Sequence, residues 1–133
     1  MTKTKDIVQK VYFEASPETI YEILMDSKKH AAIASSPAKM TKKIGGTFTA
    51  HDKYIFGINL DLERGVRIVQ AWRGKGWPKG HFSIVYYEFK KKGKGTDLTF
   101  THVGVPAGEA KHLASGWKSH YWEPLKKMFA GKK

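Results

Sequence analysis

The last quarter of the chain constrains the fold more than any other stretch. From Glu109 to Ala130, Leu113, Trp117, Tyr121, Leu125, Met128 and Phe129 recur at steps of four, four, four, three and one, which is one face of a 3.6-residue period. Lys111, Lys118, Glu123, Lys126 and Lys127 fall mostly elsewhere on the wheel. A helix with this much aromatic and aliphatic surface must lie against something large and concave. Gly116 and Pro124 qualify it, since they cost about 1 and about 3 kcal/mol relative to Ala in a helix interior. Tolerating both implies close packing at Gly116 and a kink near His120, four residues before the proline. Two shorter helices, 109–122 and 124–130, are the alternative.

The preceding residues read as short elements able to supply the concavity. Asp6 to Phe13 alternates as a strand, with Ile7, Gln9, Val11 and Phe13 on one side. Ser16-Pro17-Glu18 opens a helix: serine caps it, proline takes the first position where its missing donor costs nothing, and glutamate suits the dipole. Asp26 or Ser27 caps a second, shorter helix through Ile33. From Lys39 to His102 the signals are strand and turn. Met40 to Ile44 and Thr47 to His51 flank Gly45-Gly46, a two-residue hairpin signal. Tyr54 to Glu63 follows, with Phe56, Ile58, Leu60 and Leu62 assigned to its inner face. Then come Val66 to Trp72, a glycine-rich loop from Gly74 to Gly80 carrying Trp77, and a hairpin of Phe82 to Lys90 with Thr96 to His102. The predicted architecture is α+β: a curved antiparallel sheet of about seven strands around the long C-terminal helix, in one domain over residues 1–133. Two short helices follow its first strand.

A chain of 133 residues can bury a core without staples. It has no cysteine, which removes disulfides and thiolate metal sites and suits a reducing cytoplasm. Met1 to Asp6 is polar with no apolar core behind it, and no run approaches the roughly 18 residues of a membrane span. A soluble, cytoplasmic protein without membrane insertion is therefore expected. The formal net charge is +12, with lysine clusters at Lys90, Lys91, Lys92 and Lys94 and at Lys126, Lys127, Lys132 and Lys133. Arg64, Arg67 and Arg73 are few for a protein that reads bases or clamps phosphates, so nucleic acid is not an expected partner.

The register that gathers the apolar residues turns Phe48, Ile58, Leu60, Ile68, Gln70, Trp72, Val85, Tyr87, Phe89, Leu98, Phe100 and His102 toward the long helix. With Leu113, Trp117 and Tyr121 they would line an apolar chamber holding few polar groups, entered past Trp77. A plain filled core, with its polar atoms bonded to backbone, is the competing expectation. His112 and His120 are eight apart, about 12 Å along a helix, too far to share one ion. His30, His51, His81 and His102 show no ligand spacing and read as structural or surface residues, His102 being the pocket candidate. No metal, cofactor or catalytic residue is expected: there is no serine elbow, and Asp61 and Glu63 fall at the solvent face or strand end.

Five blocks resemble, in order, the signature of a known superfamily. They are Ala15 to Tyr21, Gly45-Gly46-Thr47-Phe48, Ile68-Val69-Gln70-Ala71-Trp72-Arg73, Gly95 to His102, and Gly116 to Leu125 with its Trp117, His120-Tyr121-Trp122 and Pro124. The chain is similar to START-like SRPBCC proteins, and more narrowly to the branch related to the activator of the 90-kDa heat-shock chaperone ATPase. The resemblance implies a helix-grip fold, as in birch-pollen-allergen-like proteins, whose C-terminal helix closes a deep apolar cavity. It implies binding of a hydrophobic small molecule, and the aromatic lining suggests one with a polar or acidic end near Gln70 or His102. Its alternatives are a co-chaperone-like module acting on a heat-shock chaperone, and a cyclase- or hydrolase-like enzyme using His102 or Tyr121 in the same chamber.

Overall fold

Ser16 caps the first helix as its sequence requires, its Oγ accepting the Thr19 N–H at 3.2 Å, and Asp26 caps the second by accepting from the Lys29 N–H at 2.9 Å. The structure, a computed structural model, describes residues 3–130; Lys132 and Lys133 lie outside the described residues. The elements in order are β1 (Thr4–Phe13), α1 (Pro17–Met25), α2 (Ser27–Ala34), β2 (Thr47–Ala50), β3 (Ile55–Glu63), β4 (Arg67–Gly74), β5 (Ser83–Lys92) and β6 (Gly95–Pro106). The six strands form one antiparallel sheet in the order β1-β6-β5-β4-β3-β2. A 3-10 turn, Ala107–Glu109, then leads without a break into α3 (Ala110–Trp117), a π-helical turn (Lys118–Trp122) and α4 (Glu123–Ala130).

The irregularity expected near His120 takes the form of that π turn. Pro124 has no N–H to donate and its ring crowds the carbonyl four residues back, on His120; a locally widened turn accommodates both without ending the helix. The helix then seats two indoles in the sheet. Trp117 packs on Phe100 with ring centroids 4.4 Å apart, and Trp122 lies 5.1 Å from Phe100 and 6.2 Å from Phe13. The Trp122 Nε1–H donates to Gln9 Oε1 at 2.6 Å, while Gln9 Nε2 donates to the Ala114 carbonyl at 3.0 Å. One glutamine on the edge strand thus ties the sheet to two turns of the helix.

Two expectations are corrected. Met40 to Ile44 is not a strand: only Lys39 makes an isolated bridge, to Thr49. The Asn59 amide donates to the Thr41 and Lys43 carbonyls at 2.6 and 3.1 Å, and the Gly45-Gly46 turn bonds the Asn59 backbone rather than closing a hairpin. The second correction concerns β3, whose inner face is Ile55, Gly57 and Asn59. Phe56, Ile58 and Leu60 are on the outer face, Phe56 and Leu60 being 39% and 44% exposed. The irregularity in pairing between Asn59 and Asp61 then lets Leu62 pack on the core.

Gly57 explains why the less apolar side faces in. A Cβ there would overlap the Phe48 ring and the Ala71 carbonyl oxygen, so glycine makes the seat for Phe48. Gly57→Ala is expected to lower the unfolding free energy by about 1–3 kcal/mol, as overpacking does. Gly108→Ala, which meets nothing within 4 Å, is the control. Urea denaturation of both variants checks this; equal midpoints would contradict the assigned register.

Candidate functional site

Most of the expected chamber is filled. Phe48, Ile68, Gln70, Trp72, Trp77, Val85, Tyr87, Phe100, His102, Trp117 and Tyr121 are buried together between sheet and helix. Leu113 is half-buried at their edge, and Ile58 and Leu60 are on the far side of the sheet. Trp77 does not stand at an entrance. It folds back on Trp72 at 5.6 Å, and Arg73 holds its loop shut by donating to the carbonyls of Trp77, Pro78 and His81.

The two polar groups expected to meet a ligand are satisfied within the protein. Gln70 Nε2 donates to Asn59 Oδ1 at 3.0 Å. The Trp117 indole N–H donates to His102 Nδ1 at 3.1 Å, which makes that nitrogen an acceptor. The His102 proton therefore sits on Nε2 and is given to Ser83 Oγ at 2.7 Å, whose own hydrogen goes to the Trp72 carbonyl at 2.7 Å. Burial pushes the His102 pKa down to about 3, so the ring is neutral.

What stays open is a cleft of about 280 Å³ at the mouth between the helix and the β2–β3 turn. Its walls include Ile55, Trp72, Leu113 and Trp117 with Tyr121, and its rim carries His51, His112, Ser115, Ser119, His120 and Tyr54. Gly116 lines it too. The close packing expected there is absent: an added Cβ would meet only His120 Cδ2, at 3.9 Å. The helix thus forgoes about 1 kcal/mol of propensity at a position where no neighbour requires it.

Tyr121 joins this cleft to the core. The Leu24 carbonyl can only accept, so His30 Nδ1, 2.9 Å away, carries the proton. Burial lowers the His30 pKa and keeps the ring neutral, leaving Nε2 to accept the Tyr121 hydroxyl hydrogen at 2.8 Å. The Tyr121 oxygen accepts in turn from His51 Nε2–H at 3.0 Å. Desolvation first, and then the nearby His120 and His30, take the His51 pKa down to about 4. The His51 and His120 rings stand 5.3 Å apart. Spacing along the chain gave no hint of this grouping. The one available signal was a histidine followed by Asp52 and Lys53 between two strands, where a tight turn must fix its direction. Among the described residues no three histidine or acidic side chains could hold a metal, and no helix is long and apolar enough to cross a membrane.

A curved antiparallel sheet gripping a C-terminal helix, with two short helices after the first strand, defines the helix-grip class of START-like SRPBCC proteins. The family model described as "Activator of Hsp90 ATPase homolog 1-like protein" matches residues 14–130, and the chain belongs to that family. The human "Activator of 90 kDa heat shock protein ATPase homolog 1" is 33% identical over 126 residues, 95% of this chain and 37% of that protein. The chain thus spans little more than a third of that relative. Among solved structures, an HSP90 activator from Plasmodium falciparum superposes with a TM-score of 0.88 at 21% identity, covering 94% of this chain and 96% of that one. The Aha1 dimer from Colwellia psychrerythraea superposes with a TM-score of 0.82 at 16% identity, covering 97% and 99%. At these identities the two structures speak for the fold alone.

The buried histidines fix a pH dependence. Their folded pKa values lie below the unfolded value of about 6.5, so the unfolded chain takes up protons first. Their contribution is complete above that pH and is lost as pH falls toward about 4 for His51 and about 3 for His102. Between about pH 6.5 and pH 5 the fully buried His102 alone accounts for about 2 kcal/mol. Urea unfolding at pH 7 and pH 5 should show the loss; unchanged stability would mean these rings protonate freely when folded.

Proposed function

We propose that this chain is a co-chaperone-type module that binds a 90-kDa heat-shock chaperone and stimulates its ATPase. The observation that carries the reading is the 33% identity to the human activator across 95% of this chain. The match falls on one part of that longer protein, so the role proposed is the share of the activity which that part carries. The packed interior supports the same reading. With Trp72, Phe100 and Trp117 filling the space beneath the helix, the chain's capacity for a large partner lies on its outside. A net charge of +12 speeds encounter with an acidic partner.

A second reading, binding of a hydrophobic small molecule, is favoured by the cleft of about 280 Å³. Ligand pockets typically span about 300–1,000 Å³, so this one suits a molecule of one or two rings rather than a sterol or long-chain lipid. Catalysis is the weakest of the three. His102 and Tyr121 are engaged in internal hydrogen bonds, and homology to an ATPase activator fits a protein that is not itself an enzyme.

The chaperone reading is tested by adding the purified chain to the 90-kDa chaperone of the same cells and following ATP turnover. A several-fold rise that saturates at tens of micromolar is the expected result. Unchanged turnover together with no binding at about 50 μM would remove the proposal at ordinary transient affinities.

A further inference from the structure

The cleft beside His51 carries an inference that stands apart from the chaperone reading and rests on the small-molecule reading of the same space. Three features converge there. His51, Asp52 and Lys53 all have left-handed backbone, with φ of 51°, 56° and 69°. Three successive side-chain-bearing residues in that region are strained, and the turn they make presses the imidazole against Tyr121. On the facing wall, Gly116 leaves room that no neighbour occupies. Between them lies an aromatic floor of Trp72 and Trp117.

The third feature is directional. The chain of donors runs one way, from His51 Nε2–H to Tyr121, from Tyr121 to His30, and from His30 to the Leu24 carbonyl. Every link is forced from the carbonyl outward, because a carbonyl cannot donate and the Tyr121 hydroxyl has one hydrogen to give. His51 is left with a bare Nδ1 that accepts from no protein group among the described residues. We propose that the cleft binds a small neutral ring compound bearing a hydroxyl or N–H, whose hydrogen is accepted by His51 Nδ1 while its ring lies on Trp72 and Trp117. Tyr121 acts as a positioning residue, fixing which His51 nitrogen is bare. A carboxylate would set a second acceptor against that lone pair, so acids are disfavoured despite the basic surface.

The test uses the whole chain and three matched probes: 1-naphthol, 1-methoxynaphthalene and 1-naphthoate, followed by amide and imidazole chemical shifts. The expected result is that naphthol binds about 3- to 10-fold more tightly than its methyl ether and than the acid, the range one net hydrogen bond supplies. Tyr121→Phe, which keeps the shape but frees the His51 proton to change nitrogens, should bring alcohol and ether to within about 2-fold of each other. Gly116→Leu, which improves helix propensity and fills the cleft, should abolish binding of all three. Equal affinity for alcohol and ether in the unaltered chain, preference for the acid, or binding undiminished in Gly116→Leu would each overturn the inference while leaving a hydrophobic site in being. No binding of any probe at about 1 mM would overturn it together with the small-molecule reading.

Discussion

The structure depends on burying two indoles without stranding their N–H groups. A tryptophan removes about 200 Å² from water, worth about 5 kcal/mol of transfer free energy, and an unpaired buried donor takes back about 1–3 kcal/mol. The helix can therefore seat Trp117 and Trp122 to full effect only where the sheet offers acceptors. Neutral His102 on β6 serves the first and Gln9 on β1 the second. Those two bonds fix the helix in rotation and in translation along the sheet, and the packing of Phe100, Tyr87 and Trp72 follows from it.

The same requirement fills the interior. His102 accepts as a neutral ring, and it is fully buried with its second nitrogen engaged by Ser83. An aromatic cluster then occupies the depth where the fold allows a cavity. Room survives at the mouth, where the helix carries Gly116 and the β2–β3 turn swings His51 inward. The packed interior beneath the helix thus goes together with the hydrogen bonds that seat the two indoles.

The parts of this arrangement that depend on local chemistry were legible in the sequence. Ser16-Pro17 and Asp26 mark their helices, and the spacing of Trp117, Tyr121 and Leu125 marks the buried face. Pro124 marks the irregular turn before it. The facing of β3 was not legible, because the count of apolar residues favours the side of Phe56, Ile58 and Leu60, which faces out. Its inner side is chosen by what is missing at Gly57, where Phe48 sits, and by the Asn59 amide that holds the 41–46 segment and Gln70. The grouping of His30, His51 and Tyr121 was invisible for another reason. It joins residues 70 and 91 positions apart through a left-handed turn that no side-chain pattern encodes.

The two proposals put a chaperone on the outside of this molecule and a small ring compound at the mouth of its cleft. Both rest on the interior being closed. The most direct test is deuterium exchange of the Trp117 and Trp122 indole protons in the folded chain. A dry, packed interior predicts that both exchange only through global unfolding, as slowly as the most protected amides of β5 and β6. Exchange of the Trp117 proton within seconds, while those amides stay protected, would mean that water fills the space beneath the helix and would contradict the account.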